Sequence, residues 1–288
     1  MIEARPDLPI LYRIAHEPRA VFGLLVLATL IIVSLLAPLL APNDPLEQDL
    51  LYSFLPPSWD SGGEAEFFFG TDNLGRDITS RLIYGTRIAL IVAVVAATLA
   101  CLLGTCLGLL AGFLGGKVDA FISRAVDIWM SFPAVLLSIV LVAVIGAGLH
   151  AVIIAIVIID WTRFCRVVRA ETMVQKELDY VASAITIGIS KPKTLIKEIL
   201  PNLVPLLIVL LTLEMGIAIV VETILSFVGL SVVSDTPSWG NLIQEGRQYI
   251  HQAPWLLGLP VTCVILSVVG LNTLGDGLRQ ILDPVAQR

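Results

Sequence analysis

The sequence has 288 residues, of which 57% are hydrophobic and only 15% charged, and its mean hydropathy is +0.90. A chain of this composition has too little polar surface to cover itself in water, so an ordinary soluble domain is excluded and lipid is expected to be its solvent over much of its length. The formal net charge is −6, the charges are segregated between loops, and no basic run is wide enough to bind nucleic acid.

The first predicted element is a membrane-spanning helix near residues 20–41. The uncharged run 20–43 follows Arg13 and Arg19. It is longer than the apolar core of a signal peptide, which has roughly 7–15 residues. It also ends without a clear small-x-small cleavage site. We therefore expect a retained first span behind a short N-terminal tail.

A polar loop over about 42–86 follows the first span. It contains eight acidic residues, is too long for a simple hairpin, and is expected to fold over the outer mouth of the protein. Asp72, Arg76 and Asp77 lie where this loop approaches the next span. Pairing of Arg76 and Asp77 with neighbouring charges would hold the loop in place as a lid, so the three residues are candidates for an exported lid or gate.

Five further spans are predicted, each needing about 20 apolar residues to cross about 30 Å of hydrocarbon. The uncharged run 128–159 is too long for one span and short for two, and residues 145–148 (I-G-A-G) provide a turn inside it. Two helices fit if the third span begins near Ala120 and the fourth ends near Val168. The remaining three spans are predicted near 87–114, 199–230 and 254–276.

The distribution of basic residues predicts the orientation. Six spans place both termini on one side of the membrane. With the N-terminus inside, 14 of the 18 basic residues fall in cytoplasmic segments, and an excess of Lys and Arg marks cytoplasmic loops. We therefore predict an all-α integral membrane protein with six transmembrane helices and both termini in the cytoplasm.

The polar stretch 160–202 carries seven of the basic residues. Inside it, a short helical run over Leu178–Ile187 is followed by Gly188, which can adopt a positive φ and end the helix. Ser190 can cap a second helix that has Pro192 in its first turn. This pattern predicts a small cytoplasmic helix–turn–helix, either a docking site for a partner or an interfacial loop that holds two spans together.

The same stretch resembles the cytoplasmic loop of permeases from binding-protein-dependent ABC transporters. Its Y-V-A-S-A-x3-G followed by L-P is similar to the family pattern E-A-A-x3-G-x9-I-x-L-P. The matching residues are Ala184, Gly188, Leu200 and Pro201, and those that depart from the pattern are Ala182, Ser183 and Glu198.

Three further segments resemble the peptide/nickel subfamily of these permeases, in the right order along the chain. They are F-G-T-D-N-L-G-R-D (69–77) with S-R-L-I-Y-G-T-R (80–87), L-S-F-V-G-L (225–230) with P-S-W-G-N-L-I (237–243), and L-N-T-L-G-D-G-L-R-Q-I-L-D-P (271–284). The chain is most similar to the C-type permease of dipeptide and oligopeptide importers.

The resemblance implies a type I importer permease core with an extra N-terminal span. The domains would be 1–86 (N-terminal tail, first span and exported loop), 87–277 (five-span permease domain with a coupling loop at about 176–199) and 278–288 (cytoplasmic C-terminal tail). Such a subunit lies in the bacterial cytoplasmic (inner) membrane and forms half of a pathway for di- or oligopeptides. Its expected partners are a B-type permease, two ABC ATPase subunits and an extracytoplasmic substrate-binding protein.

No phosphate-binding G-x-x-x-x-G-K-[ST] loop is present in the sequence. The chain is therefore predicted not to be an enzyme and to bind no cofactor itself, while the partner subunits use ATP and Mg. In the family, the cytoplasmic loop sits in a groove on the ATPase. By resemblance the contacting residues would be Tyr180, Val181, Ala184 and Gly188.

Glu214 and Glu222 interrupt the predicted fifth span. A carboxylate near the middle of a span costs about 2.5–3.5 kcal/mol or more, so it normally faces protein or water. Eight helical residues separate the two by about 12 Å along the axis. Both are candidates for a translocation pathway that contacts the amino terminus of a peptide, and the alternative is a hydrogen bond between helices.

Several alternatives stay open at this stage. Permeases with these motifs also serve importers of nickel chelates, glutathione or antimicrobial peptides. A free nickel ion is disfavoured because no cluster of His and Cys lines a span, and no metal site is expected. A secondary transporter driven by an ion gradient should show an inverted repeat or broken helices, and a membrane scaffold would leave Glu214 and Glu222 unexplained.

Overall fold

The computed structural model describes residues 10–231 and 236–282, with side chains from residue 12 onward. Over these ranges the regular secondary structure is helical, apart from an isolated bridge between Thr71 and Asp77. The all-α prediction is therefore confirmed. The predicted N-terminal tail through residue 9 and the last six residues of the predicted C-terminal tail lie outside the described residues.

Twelve α-helices follow one another in the described part of the chain. They are α1 Ile10–His16, α2 Pro18–Leu35, α3 Ala37–Leu40, α4 Ile78–Leu114, α5 Gly116–Met130, α6 Ala134–Ile145, α7 Leu149–Lys176, α8 Asp179–Thr186, α9 Lys191–Thr194, α10 Leu200–Phe227, α11 Trp239–Gln248 and α12 Trp255–Leu282. A 3₁₀ turn covers Leu50–Tyr52, and a π-helical turn, Leu195–Ile199, joins α9 to α10. The sequence analysis did not predict α11.

Four helical stretches are long and apolar enough to cross a membrane: α2, α4, the continuous stretch from α9 through α10, and α12. Helices α5 and α6 add a fifth candidate if they are taken as one span bent by 91°. Helix α7 has 28 residues, but its middle carries Asp160, Arg163 and Arg166. The structure thus confirms several apolar spans, while the total of six and the side of the termini stay predictions.

Helix α4 begins earlier than the second span was predicted to begin. Asp77 caps it by accepting backbone hydrogen bonds from Thr79 and Ser80 at 3.1 and 3.0 Å, which satisfies amide groups that lack a partner at a helix start. The loop predicted over 42–86 therefore ends at Asp77. The predicted domain boundary at the end of that loop falls inside α4.

The third predicted span is broken where a single helix was expected. Residues 131–133 separate α5 from α6. Pro133 has no backbone N–H, and it disfavours the helical conformation at Phe132 just before it, so the helix stops there. The turn predicted within 145–148 is present between α6 and α7, whereas α7 continues beyond the predicted end to Lys176.

Small residues bring α4 and α7 into close contact. A Cβ atom added to Gly104 would lie 2.4 Å from the carbonyl oxygen of Trp161, and one added to Gly108 would lie 2.8 Å from that of Cys165. Because the contacts advance in the same direction along both helices, α4 and α7 run parallel. The missing side chains allow the two backbones to approach, as small residues do at helix interfaces in membranes.

Helix α2 packs antiparallel on α12 by the same means. A Cβ atom on Gly23 would lie 2.5 Å from Cβ of Leu274, and one on Gly277 would lie 2.5 Å from the backbone nitrogen of Ala20. Helix α12 in turn packs on α10, and α10 contacts both α4 and α7. The extra N-terminal helix therefore lies at the edge of a bundle that has α4, α7 and α10 at its centre.

Candidate functional site

A buried ion-pair cluster joins the loop 42–77 to α4 and α11. Arg76 Nε donates to Asp72 Oδ2 at 2.6 Å, and its Nη2 donates to Glu245 Oε2 at 3.0 Å. Arg81 donates to Asp72 and makes a two-point contact with Glu245, at 2.7 and 3.1 Å. Asp72, Arg76 and Arg81 are buried. We call these four residues the loop clamp.

A tight turn positions the loop end of the clamp. Asp72 Oδ1 accepts hydrogen bonds from the backbone nitrogens of Leu74 and Arg76 at 2.8 and 3.0 Å. Gly75 has a φ of +75°, and a Cβ atom there would lie 1.8 Å from the carbonyl oxygen of Asp49. Only glycine fits this turn, because both the backbone angle and the space exclude a side chain.

Two opposing effects act on the carboxyl group of Glu245. Burial raises its pKa, but the hydrogen bonds and positive charges of Arg81 and Arg76 together outweigh burial, so the pKa lies below its ordinary value. The ionised form of Glu245 is thus the one that the clamp stabilises.

The predicted lid residues therefore divide between two tasks. Asp72 and Arg76 meet in the clamp, whereas Asp77 caps α4. Sequence reasoning did not single out Arg81 or Glu245. Arg81 was visible as a charge close to a predicted span, but Glu245 has no local signal because its partners lie far away along the chain.

The helix predicted over Leu178–Ile187 is confirmed as α8, and Gly188 follows it with a φ of +87°. Helix α9 begins after Ser190 with Pro192 in its first turn, as expected. Ser190 occupies the N-cap position of α9, as predicted, but the Ser190 side chain makes no capping hydrogen bond. Its backbone oxygen instead accepts a hydrogen bond from the backbone nitrogen of Thr194 at 2.9 Å.

The four predicted coupling residues do not share one surface. Val181 and Ala184 are buried, and Val181 packs in a cluster with Leu109 and Phe113 of α4. Tyr180 is half-buried: its hydroxyl donates to Gln175 at 2.6 Å and accepts from Asn202 at 3.2 Å. The side chains of Tyr180, Val181 and Ala184 therefore hold α8 against other elements of the same protein.

The exposed apolar surface of this segment is formed by other residues. Ile187 is 77% exposed, and Leu178 and Ile185 are exposed as well. Gly188 adjoins them, and the space around its Cα is open. We call Leu178, Ile185, Ile187 and Gly188 the coupling surface. The sequence pattern identified the segment and its turn but not which side of α8 faces outward.

The first of the two intramembrane glutamates is bound to a neighbouring helix. Arg163 Nη1 of α7 lies 3.2 Å from Oε1 and 3.4 Å from Oε2 of Glu214 on α10. The Glu214 side chain is nearly buried, while that of Arg163 is 37% exposed. This is the contact between helices that the sequence analysis held open as an alternative.

Glu222 lies in a different environment. Its Oε1 accepts hydrogen bonds from the hydroxyls of Ser226 and Ser231 at 2.6 and 3.3 Å. The Ser238 hydroxyl, which also caps α11, donates to Ser226 at 3.2 Å. Glu222 therefore joins the end of α10 to the start of α11, away from Glu214. The assignment of both carboxylates to a translocation pathway stays a prediction.

A cavity of about 170 Å³ lies between α6, α7 and α10. Asp160 and Arg163 are its charged lining residues, and apart from Ser138 the other lining residues are aliphatic. Sequence reasoning did not single out Asp160 as a site residue. The signal was nevertheless present, since Asp160 is a carboxylate near the end of a predicted apolar span, three residues before an arginine.

Two further arginines of α7 engage α5. Arg169 donates through Nε and Nη2 to Asp119, the latter at 2.7 Å, and Arg166 Nη2 lies 3.6 Å from Asp127. The basic residues of α7 that face acidic partners therefore connect it to α10 and to α5.

Comparisons with known proteins agree with this architecture. Residues 104–288 match the family model described as "Binding-protein-dependent transport system inner membrane component". Residues 10–57 match the model of the "N-terminal TM domain of oligopeptide transport permease C".

The chain is 40% identical over 270 residues to the di/tripeptide transport system permease protein DppC of Pseudomonas aeruginosa, which covers 94% of this chain and 89% of the relative. It is 38% identical over 265 residues to the dipeptide transport system permease protein DppC of Haemophilus influenzae, covering 92% and 90%. The Escherichia coli dipeptide permease protein DppC is also 38% identical over 265 residues, covering 92% and 88%.

Among solved structures, an inward-facing conformation of the MetNI methionine ABC transporter matches with a TM-score of 0.58 at 18% identity, covering 70% of this chain and 96% of that chain. At this identity the likeness shows the fold alone. Taken with the two family models and the relatives, it identifies the chain as a member of the binding-protein-dependent transport system inner membrane components, the permeases of ABC transporters.

Proposed function

We propose that this chain is the permease subunit of an ATP-binding cassette importer of peptides, in which it forms half of the translocation pathway. The observation that carries this proposal is the 40% identity, over 94% of the chain, to a relative named as a di/tripeptide permease. Importers of nickel chelates, glutathione or antimicrobial peptides remain the alternatives for the substrate, and an ion-gradient-driven transporter is the remote one.

The working unit is proposed to contain a B-type permease, two ABC ATPase subunits and an extracytoplasmic binding protein. The sequence has no phosphate-binding loop of its own, so ATP and Mg are used by the ATPases. Cyclic closure of the ATPases moves the permease between two states of access. This chain transmits that movement and performs no chemistry itself.

In the proposed membrane arrangement, α7 is the fourth of six spans and both termini lie in the cytoplasm of a bacterium. The positive-inside distribution of basic residues supports this orientation. The charges of α7 are compatible with a span because Arg163 is paired with Glu214 and Asp160 lines a cavity. Intramembrane charges in such settings avoid direct contact with lipid.

The coupling surface is proposed to contact the ATPase. Its exposed isoleucines provide apolar area for a groove, and Gly188 sets the turn. The buried side of α8 then passes the movement inward, because Val181 shares a buried cluster with residues of α4, α7 and α10 and Tyr180 is hydrogen-bonded to the ends of α7 and α10. Of the predicted coupling residues, Tyr180, Val181 and Ala184 act in transmission, while Gly188 makes the direct contact together with Ile185 and Ile187.

The loop clamp is proposed to hold the exported loop as a lid on the outer side. Asp72 and Arg76 act directly in the clamp, and Asp77 acts by fixing the start of α4. Glu214 is proposed to act in the pathway by orienting Arg163. Glu222 supports the junction of α10 and α11 next to the pathway.

The function is tested with proteoliposomes that contain the complete transporter and its binding protein. Wild-type vesicles should accumulate radiolabelled dialanine in an ATP-dependent manner. Gly188→Asp should abolish substrate-stimulated ATPase activity while the complex still assembles, because it places a charge on an apolar contact surface.

Gly62→Asp is the matched control. It makes the same change at a glycine of the loop 42–77 that also has a positive φ, of +91°, and where an added Cβ would make only an ordinary contact, 3.9 Å from Cγ of Pro56. Normal transport by Gly188→Asp would overturn the coupling assignment. Absence of ATP-dependent dialanine uptake by the wild type would overturn the peptide importer.

A further inference from the structure

The cavity between α6, α7 and α10 holds two opposite charges on one side of one helix. Asp160 and Arg163 are three residues apart on α7, which places their side chains on the same face, and both line the cavity. The rest of the wall is aliphatic apart from Ser138. The cavity is therefore a small apolar chamber whose wall carries one negative and one positive charge.

Among the described residues neither group has all of its hydrogen-bonding positions filled, although the charge of Arg163 partly balances that of Asp160. In the described residues, Glu214 takes hydrogen bonds from Nη1 of Arg163, so the Nε and Nη2 donors of the guanidinium are left for another acceptor. Asp160 is 5% exposed, and no side chain or backbone donor within the described ranges hydrogen-bonds to its carboxylate. A nearly buried carboxylate without a donor is costly, so an external donor would be strongly favoured there.

The chamber cannot face lipid in the assembled transporter. The Arg163 side chain is 37% exposed in the isolated chain, and an ion that faced hydrocarbon would cost several kcal/mol. This side of α7 must therefore be covered by the second permease or open to a water-filled path. The proposal below rests on the proposed function and takes the second of these two cases, in which the chamber opens onto the translocation pathway.

We propose that Asp160 and Arg163 form a subsite for a short zwitterionic peptide in the permease itself. The Asp160 carboxylate accepts hydrogen bonds from the peptide's α-ammonium group, and Arg163 donates to its terminal carboxylate. The two Cα atoms are separated by about 4.5 Å along the helix axis. Because the arginine side chain is long, the distance between the two charged groups can exceed this Cα separation. It can approach the roughly 7 Å between the two ends of an extended dipeptide.

Glu214 acts as a positioning residue in this arrangement. It holds one nitrogen of Arg163 and so directs the remaining donors. The aliphatic wall accepts side chains of different shapes without hydrogen-bond demands. The subsite therefore recognises the two charged ends that dipeptides share and contributes little selectivity for sequence.

The test measures direct binding of tritiated dialanine to the membrane-embedded complex of permeases and ATPases in nanodiscs, without nucleotide and without the binding protein. Unlabelled dialanine and N-acetyl-dialanine, which lacks the ammonium group, are the competitors. The wild type should prefer dialanine by about tenfold or more, since hydrogen bonds that involve a charged group are stronger than those between neutral groups. Asp160→Asn should reduce that preference to about onefold, and Asp160→Glu should restore part of it.

Asp127→Asn is the matched control. It makes the same change on α5, where Asp127 is exposed and pairs with Arg166 outside the chamber, and it should keep the wild-type preference. A second arm uses Arg163→Lys, which retains the charge beside Glu214 but loses the planar fork. This variant should lose most of the wild-type preference for dialanine over dialanine amide, which lacks the terminal carboxylate.

The outcomes separate this subsite from the proposed function. ATP-dependent uptake in proteoliposomes tests the importer and can succeed whether or not the subsite exists. Absence of saturable dialanine binding to the wild-type complex would overturn the subsite, as would an unchanged preference in Asp160→Asn. If Asp160→Asn prevents assembly and the wild type shows no preference, Asp160 serves the contact between subunits instead.

Discussion

Arg81 of α4 and Glu245 of α11 form a two-point ion pair, with Nη1 2.7 Å from Oε2 and Nη2 3.1 Å from Oε1. The pair joins residues 164 positions apart in the sequence. Because Arg76 of the loop 42–77 donates to the same carboxylate, one glutamate holds three parts of the chain together. The loop, the start of α4 and α11 are therefore expected to loosen together.

The first prediction concerns removal of that carboxylate. Glu245→Gln leaves the buried Arg81 and Arg76 with Asp72 as their remaining anion. Breaking a fully buried pair costs about 3–5 kcal/mol. Because the Glu245 side chain is 29% exposed, we expect a smaller loss of about 1–3 kcal/mol, after discounting for solvent screening. Thermal unfolding of the purified complex should show a lower midpoint, and limited proteolysis should cleave the loop faster.

Glu64→Gln provides the control for this variant. It makes the same change at an exposed glutamate of the same loop and should leave both measurements at the wild-type value. Equal stability of Glu245→Gln and wild type would show that the clamp contributes nothing to holding the loop.

The second prediction is a pH dependence of the same contact. Burial raises the pKa of Glu245, but Arg81 and Arg76 together outweigh burial, so that in the folded protein the pKa lies below its ordinary value of 4.5. A lowered folded pKa means that the contribution is fully present well above pH 4.5 and is lost as the pH falls through the lower, folded value. The groups that face Glu245 are Arg76 and Arg81, with Asp72 behind them.

The measurement is the difference in unfolding midpoint between wild type and Glu245→Gln from pH 7 to pH 3.5. We expect this difference to be constant down to about pH 5 and then to shrink, because the protonated glutamate resembles glutamine. A difference that stays constant down to pH 3.5 would contradict the ionised clamp.

The clamp also shows where sequence reasoning reaches its limit. Asp72, Arg76 and Asp77 were predicted as lid residues because they adjoin a span, and two of them, Asp72 and Arg76, meet in the clamp, whereas Asp77 caps α4. The partner Glu245 lies on α11, a helix too short and too polar to stand out among apolar spans. A pairing over such a separation follows from tertiary packing and leaves no local pattern.

Helix α8 also has some features that follow from the local sequence and others that depend on tertiary packing. The glycine at 188 and the proline at 192 predict a helix, a break and a second helix from local backbone preferences alone. Which side of α8 is buried depends on a cluster that Val181 shares with residues of α4, α7 and α10. The predicted helix and turn are present, but the pattern could not distinguish the residues that anchor α8 from those that α8 exposes.

The third prediction concerns the close contact of α4 with α7. In Gly104→Ala, the added methyl group would lie 2.4 Å from the carbonyl oxygen of Trp161 and 2.5 Å from Cβ of Phe164. The helices must separate to accommodate it, and such overpacking typically costs about 1–3 kcal/mol. The unfolding midpoint of the complex should fall, and the yield of assembled complex should fall with it.

Gly258→Ala is the matched control on α12, where no atom lies within 4 Å of the added Cβ. It should be neutral or stabilising by up to about 1 kcal/mol, because alanine loses less backbone freedom than glycine when a helix forms. Equal stability of the two variants would mean that α4 and α7 are not packed backbone to backbone.

The fourth prediction separates anchoring of α8 from its contact with a partner. Tyr180→Phe removes only the hydroxyl that links Gln175 at the end of α7 to Asn202 at the start of α10. Loss of these hydrogen bonds should cost about 0.5–1.5 kcal/mol each and weaken the connection between α8 and the spans. We expect reduced stimulation of ATPase activity by substrate, with ATPase subunits still bound, because the exposed coupling surface is unchanged.

Tyr12→Phe, which alters an exposed tyrosine of α1 stacked on His16, should behave as wild type. Loss of the ATPase subunits from Tyr180→Phe would instead place Tyr180 in the contact itself, and undiminished stimulation would remove it from transmission.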